Sequence, residues 1–191
     1  MGDDAYYRMY GTYKDVDSFK LPGGKDSVDD WSLGNAGFRI DWTPSEQDEI
    51  TFQGNAYQDD VWFKWVLPEI EDLPEFYPNK DRYEFDKKGL DFQVLWNHTL
   101  EDGSKIKWDT YYSYFKLDDG HVTEISYNIF NTDLQYLFTP YANHEFIVGS
   151  GYRLIADDAD NRLIVYNPDH ANDQIGSAFI QDNYPILDDL L

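Results

Sequence analysis

The sequence predicts an all-β chain, an antiparallel up-and-down meander of about eight strands that forms part of a transmembrane β-barrel. Three observations predict it. Apolar and polar residues alternate with a period of two over most of the chain, the pattern of strands with one dry and one wet face. The links between these strands alternate between short and long. Aromatic residues gather near strand ends, where an outer-membrane barrel carries its interfacial girdles.

A first strand is expected at about 5–14 and a second at 31–42. In the second, Ala36, Phe38, Ile40 and Trp42 fall on one face and Asn35, Gly37, Arg39 and Asp41 on the other. The third, 49–58, sets Ile50, Phe52, Gly54 and Ala56 against Thr51, Gln53, Asn55 and Tyr57. The fourth, 87–99, sets Leu90, Phe92, Val94 and Trp96 against Asp91, Gln93 and Asn97. In the fifth, 105–116, Ile106, Trp108, Tyr112 and Tyr114 oppose Lys105, Lys107, Asp109 and Ser113. Further strands are expected at 122–139, 144–156 and 174–184, all eight in one partial β-barrel domain, 1–191.

Short links are Thr43–Asp48, Glu101–Ser104 and Thr139–His144, each with the Pro, Gly, Asn or Asp chemistry of tight turns. Long links are expected at 15–30, 59–86 and 157–173, with a shorter member of the same set at 117–121. All short turns then lie at one end of the meander and all long loops at the other, the layout of an outer-membrane barrel. Trp42 just before a short turn and Trp108 just after one suit a headgroup-level girdle.

Charge and composition narrow the function. The 191 residues carry 15 Lys+Arg against 37 Asp+Glu, a net charge of −22. That excess repels phosphate backbones and anionic headgroups, so nucleic acid is not an expected partner. At 18% aromatic, the chain carries too much Tyr, Phe and Trp for a disordered, solvated class. Without cysteine there is no disulfide framework, thiolate metal site or Cys nucleophile. Met1-Gly2-Asp3-Asp4 lacks the basic and apolar stretches of a signal peptide, and no run of apolar residues is long enough for a membrane helix.

Chemical motifs are few. There is no G-x-S-x-G, Walker loop, H-E-x-x-H or dinucleotide fingerprint, so no enzyme activity and no cofactor is expected. His98, His121, His144 and His170 lack a metal-ligand partner at three to five residues, and no metal site is expected. The clusters Asp157-Asp158-Ala159-Asp160-Asn161 and Asp15, Asp17, Asp26, Asp29, Asp30 lack the spacing of an EF-hand and read as solvated acidic loops in preference to calcium sites.

In a barrel, Arg39, Asp41, Gln53, Asn55, Tyr57, Asp91, Gln93, Asp109 and Arg153 line the lumen, where they would meet water, a passing solute or a plug. Structural pairing is the competing reading, with Arg39 neutralising Asp41 or Asp91 across adjacent strands. The aromatics of the 59–86 loop, Trp62, Phe63, Trp65, Phe76 and Tyr77, are the best candidates for ligand contact, since grouped loop aromatics often mark recognition.

Several strings resemble the barrel of TonB-dependent outer-membrane receptors: Tyr7-Arg8-Met9-Tyr10-Gly11-Thr12-Tyr13; Gly37-Phe38-Arg39-Ile40-Asp41-Trp42 before a Thr-Pro-Ser turn; and Thr51-Phe52-Gln53-Gly54-Asn55-Ala56-Tyr57. Gly149-Ser150-Gly151-Tyr152-Arg153-Leu154 and Ser177-Ala178-Phe179-Ile180-Gln181-Asp182 follow in the same order and spacing. The resemblance implies the outer membrane of a Gram-negative bacterium and import of a scarce solute such as an iron chelate. It also implies a plug domain and TonB as partners, besides outer-membrane lipid. That family's barrel has 22 strands, which at about ten residues each need roughly 220 residues before any loop is counted. The chain therefore resembles the middle of such a barrel, without plug, energy-coupling box or closing C-terminal strand. The alternatives are a complete small eight-stranded outer-membrane barrel, or a soluble β-sandwich binding carbohydrate or calcium.

Overall fold

The computed structural model describes residues 4–64, 83–120, 122–141, 143–162 and 164–184. Eight strands follow one another: β1 (Ala5–Val16), β2 (Trp31–Ser45), β3 (Asp48–Phe63), β4 (Tyr83–Thr99), β5 (Lys105–Asp118), β6 (Thr123–Tyr141), β7 (His144–Asn161) and β8 (His170–Asn183). They form a single sheet in the order β1-β2-β3-β4-β5-β6-β7-β8, every neighbouring pair antiparallel. The meander is as the alternation predicts.

Two of the alternatives do not describe this chain. Among the described residues all eight strands lie in one sheet, with no second sheet to make a sandwich. Among the described residues β1 pairs only with β2 and β8 only with β7, so the sheet does not close into an eight-stranded barrel. Both edges keep unpaired backbone groups, which in water invite pairing with another strand.

The strands run further toward the long-loop end than alternation indicates. β3 reaches Phe63 instead of 58, β4 starts at Tyr83 instead of 87, β7 reaches Asn161 instead of 156, and β8 starts at His170 instead of 174. The expected loops 59–86 and 157–173 shrink accordingly. Part of the added strand is polar on both faces, as in Asp59-Asp60 and Asp157-Asp158-Ala159-Asp160, so period two vanishes there while backbone pairing continues. The dense acidic stretch 157–161 is therefore strand, with Asp157 on one face and Asp158 and Asp160 on the other. At the link expected at 117–121, β5 runs on to Asp118, and Asp119 accepts hydrogen bonds from the Val122 and Thr123 amides at 2.6 and 2.8 Å.

At the other end, β2 and β6 run through Thr43-Pro44 and Thr139-Pro140, and the register shifts at both places, between Trp42 and Ser45 and between Phe138 and Tyr141. Proline has no N–H to give the ladder, so a bulge there is the expected accommodation. The 17–30 loop is an ordered finger: the Leu21 amide donates to the Lys25 carbonyl at 2.7 Å, and Gly23 and Gly24 turn the tip with φ of 102° and 83°. Within it, Asp29 accepts from the Phe19 amide at 3.0 Å and Asp30 from the Ser18 hydroxyl at 3.1 Å. These carboxylates serve loop structure.

The register sorts the residues of one face into rows. Trp42, Ile50, Trp96, Trp108 and Leu134 lie side by side, so three tryptophans from three strands share one row near the short turns. Next come Ile40, Phe52 and Val94, then Phe38, Phe92, Tyr112, Phe130 and Leu154, then Leu90 and Tyr114. From Trp96 to Leu90 the band is roughly 20 Å long at about 3.4 Å per residue, and the Ile106–Tyr136 row beside it adds about 7 Å. An outer-membrane barrel carries an apolar band of about 25 Å. Among the described residues no hydrophobic side chain is fully buried, and Met9 on this face is 75% exposed. Among the described residues nothing covers this face.

Above the band, Asp60, Asp86, Asp118, Glu124 and Asp160 are successive register partners on β3 to β7. Like charges directly opposite are destabilising. Arg162 bridges three of them, with Nη1 2.7 Å from Asp118, Nη2 3.1 Å from Glu124 and Nε 3.2 Å from Asp160. Replacing Arg162 by methionine is expected to cost about 1 kcal/mol, read as a lower urea midpoint in vesicles. An Arg162→Lys variant, which loses the fork, recovers only part of it.

Candidate functional site

The opposite face carries the polar residues. One row runs Arg8, Arg39, Gln53, Gln93, Tyr111, Asn131 and Arg153 across β1 to β7. A cavity of about 450 Å³ lies against this face and is lined from β1 (Arg8, Tyr10) to β6 (Tyr127, Ile129). Residues five strands apart share one cavity only if the sheet curls, so this face is concave and the apolar band is convex. The volume is in the range of small-molecule sites, roughly 300–1,000 Å³.

Of the expected lumen residues, Arg39, Gln53, Asn55 and Asp91 line this cavity, as does Gln93. Asp41 stands behind Arg39: the guanidinium donates to it from Nε at 2.9 Å and from Nη2 at 2.8 Å, and the Thr51 hydroxyl adds a bond of 2.7 Å. Arg39 thus pairs with Asp41, one of the two carboxylates anticipated for it. The same guanidinium donates to Gln53 at 3.3 Å, Gln53 to Gln93 at 2.6 Å, and Gln93 to Asp109 at 2.8 Å. The result is a lateral ladder of side chains from β2 to β5, in which planar amides hold one another at fixed angles.

Two further bonds shape the wall. The Tyr10 hydroxyl donates to Asn55 at 2.9 Å, and the Ser113 hydroxyl to Asp91 at 2.6 Å. To reach Asn55, Tyr10 crosses Gly37, where a Cβ would lie 2.5 Å from the phenol oxygen. Only glycine admits that approach. Charge across the lining is close to balanced, with Arg8 and Arg39 against Asp91 and with Asp41 and Asp109 directly behind. The −22 of the whole chain is not expressed here.

Arg153 lies apart from this cavity, in a smaller notch of about 160 Å³ shared with Asn131, Asp133, Gly151 and Ser177. Two of the loop aromatics fall among the described residues. Trp62 and Phe63 are the last two residues of β3 and so belong to a strand, with side chains on opposite faces. Phe63 stacks on Tyr83, ring centroids 5.9 Å apart, which fastens β3 to β4 at the loop end. Trp65, Phe76 and Tyr77 lie outside the described residues.

The structure adds Arg8, Tyr10, Tyr111, Ser113, Asn131 and Asp133 to the concave face. Parity along each strand is visible in sequence, but which parity of β1 matches which of β2 depends on register. Among the described residues, no group of three or more His, Asp or Glu side chains converges as metal ligands would.

No protein-family model matches this chain, and no relative is found among curated proteins. Among solved structures, it is similar to one titled "Copper transporter OprC", with 11% sequence identity and a TM-score of 0.49 over 97% of this chain. The match covers 39% of that chain's length.

Proposed function

We propose that this sheet is a section of the wall of a TonB-dependent receptor in the outer membrane, a transporter component and not an enzyme. One observation carries the reading: a single curled sheet, open at both edges, has an uncovered apolar band outside and a hydrogen-bonded polar ladder inside. Water does not stabilise such a convex face, whereas lipid does, and the tryptophan row suits the headgroup boundary. Unpaired β1 and β8 edges call for further strands of the same barrel, since closure alone removes them.

In this role the convex face meets lipid, the concave face meets a plug and the solute, and TonB supplies the energy. The strings that resemble the receptor family support the TonB coupling; strand geometry alone supports the barrel. The test is uptake and fractionation of the full-length receptor that contains these strands. It is expected in the outer-membrane fraction, to migrate faster on a gel unheated than boiled, and to lose solute accumulation in cells lacking TonB. A protein that stays soluble and monomeric without detergent, or uptake indifferent to TonB, sinks the proposal.

A further inference from the structure

The notch on β6–β8 sets two opposite charges near one another without pairing them. Arg39 and Asp41 sit on one side of the sheet and pair directly at 2.8 Å. Those two are neighbours on β2, whereas Arg153 and Asp133 are opposite charges on neighbouring strands, diagonal across the register in which Asn131 faces Arg153 and Asp133 faces Gly151. Yet they do not pair. Asn131 stands between them: its Oδ1 accepts from Arg153 Nε at 3.0 Å, and its Nδ2 donates to Asp133 Oδ2. Asn131 is only 7% exposed, so this spacer is a built, buried polar group.

The spacer occupies one side of each charged group and leaves the other toward the notch. Of the guanidinium, only Nε is used in hydrogen bonding among the described residues. Asp133 directs Oδ1 over Gly151, where a Cβ would collide with it and would lie 2.9 Å from Ser177 Oγ. Glycine at 151 therefore keeps open a space bounded by a carboxylate, a hydroxyl and a guanidinium. Diagonal partners lie roughly 7–8 Å apart, with their Cβ atoms somewhat closer, a gap that a molecule carrying both charges can span. At about 160 Å³ the notch takes a small group and not a whole chelate.

We propose that the Gly151 notch binds the zwitterionic end of a solute, an ammonium on Asp133 and Ser177 and a carboxylate on Arg153, the pattern of an α-amino acid. Charge-assisted bonds at both ends select for the pair of charges over either one. The assignment rests on the reading above only in placing this face toward the lumen.

The experiment is saturation-transfer NMR on the full-length receptor in detergent, with glycine, acetate and methylammonium as probes. Glycine is expected to bind at least about tenfold more tightly than either singly charged probe. Arg153→Gln and Asp133→Asn are each expected to reduce glycine to the level of those probes, while the heat-dependent gel shift shows each variant folded. Acetate binding as tightly as glycine overturns the proposal, as does no detectable glycine binding or folded variants that bind like the parent. The unmodified protein alone decides the probe comparison, so a variant that misfolds does not rescue the idea. Failure of the receptor reading shows up separately, in fractionation and TonB dependence, with the glycine titration unaffected.

Discussion

Phe92→Arg is expected to prevent stable insertion into lipid, shifting the folded population by roughly 30- to 1,000-fold, equivalent to about 2–4 kcal/mol for arginine at the midplane of an outer-membrane barrel. Phe92 lies in the middle of the convex band, its ring centroid 6.4 Å from that of Phe38 across Gly54. In a bilayer, as the proposed function requires, a guanidinium there would have neither water nor a carboxylate beside it. Gln93, one residue along, points to the concave face and donates to Asp109 at 2.8 Å. Gln93→Arg keeps that acceptor and is expected to change stability by no more than about 1 kcal/mol. Folding into vesicles of outer-membrane lipid, followed by the heat-dependent gel shift, measures both. Equal tolerance of arginine at 92 and 93 would mean that lipid is not what covers the convex face.

Gly89→Val is expected to destabilise by about 1–3 kcal/mol, the usual cost of overpacking. Gly89 sits on the concave side opposite Tyr57, and a Cβ at 89 would lie 2.5 Å from the tyrosine ring. The ring covers the bare backbone of β4, an aromatic shielding a glycine across a strand pair. Valine's β-branching would favour a strand at any ordinary site, so a loss here isolates the steric conflict. Removing the ring relieves it: in Tyr57→Ala, the added Gly89→Val change is expected to cost at least about 1 kcal/mol less than in the parent. Urea midpoints of the four proteins in vesicles give the coupling, and simple additivity would refute the ring-over-glycine packing.

How much was legible beforehand follows from where the two faces differ. In 36–42, 49–58 and 89–97 they differ strongly, and strands and face assignments could be read directly from residues such as Phe38, Arg39, Phe92 and Gln93. Where both faces are polar, as at Asp59-Asp60 and Asp157–Asp160, alternation has nothing to act on and does not distinguish strand from loop. Trp62 and Phe63 misled for a related reason: adjacent aromatics break the period, although each finds its own face at the end of β3. Candidate residues on well-patterned strands, Arg39, Gln53, Asn55 and Asp91, do share one cavity. Arg8 and Tyr10 complete it from a strand whose two faces are both aromatic, so their side was not readable.

The sequence by itself determined the strand-by-strand meander and the two-faced character of each strand, because a side-chain period of two is a local property of extended backbone. Tertiary structure alone decided the rest. Register placed Trp42, Trp96 and Trp108 in one row and set Arg153 diagonal to Asp133 with Asn131 between them. Curvature brought Arg8 on β1 to the same cavity as Ile129 on β6. Both depend on contacts between residues far apart in the chain, and a slip of one position would exchange every wet side chain for a dry one.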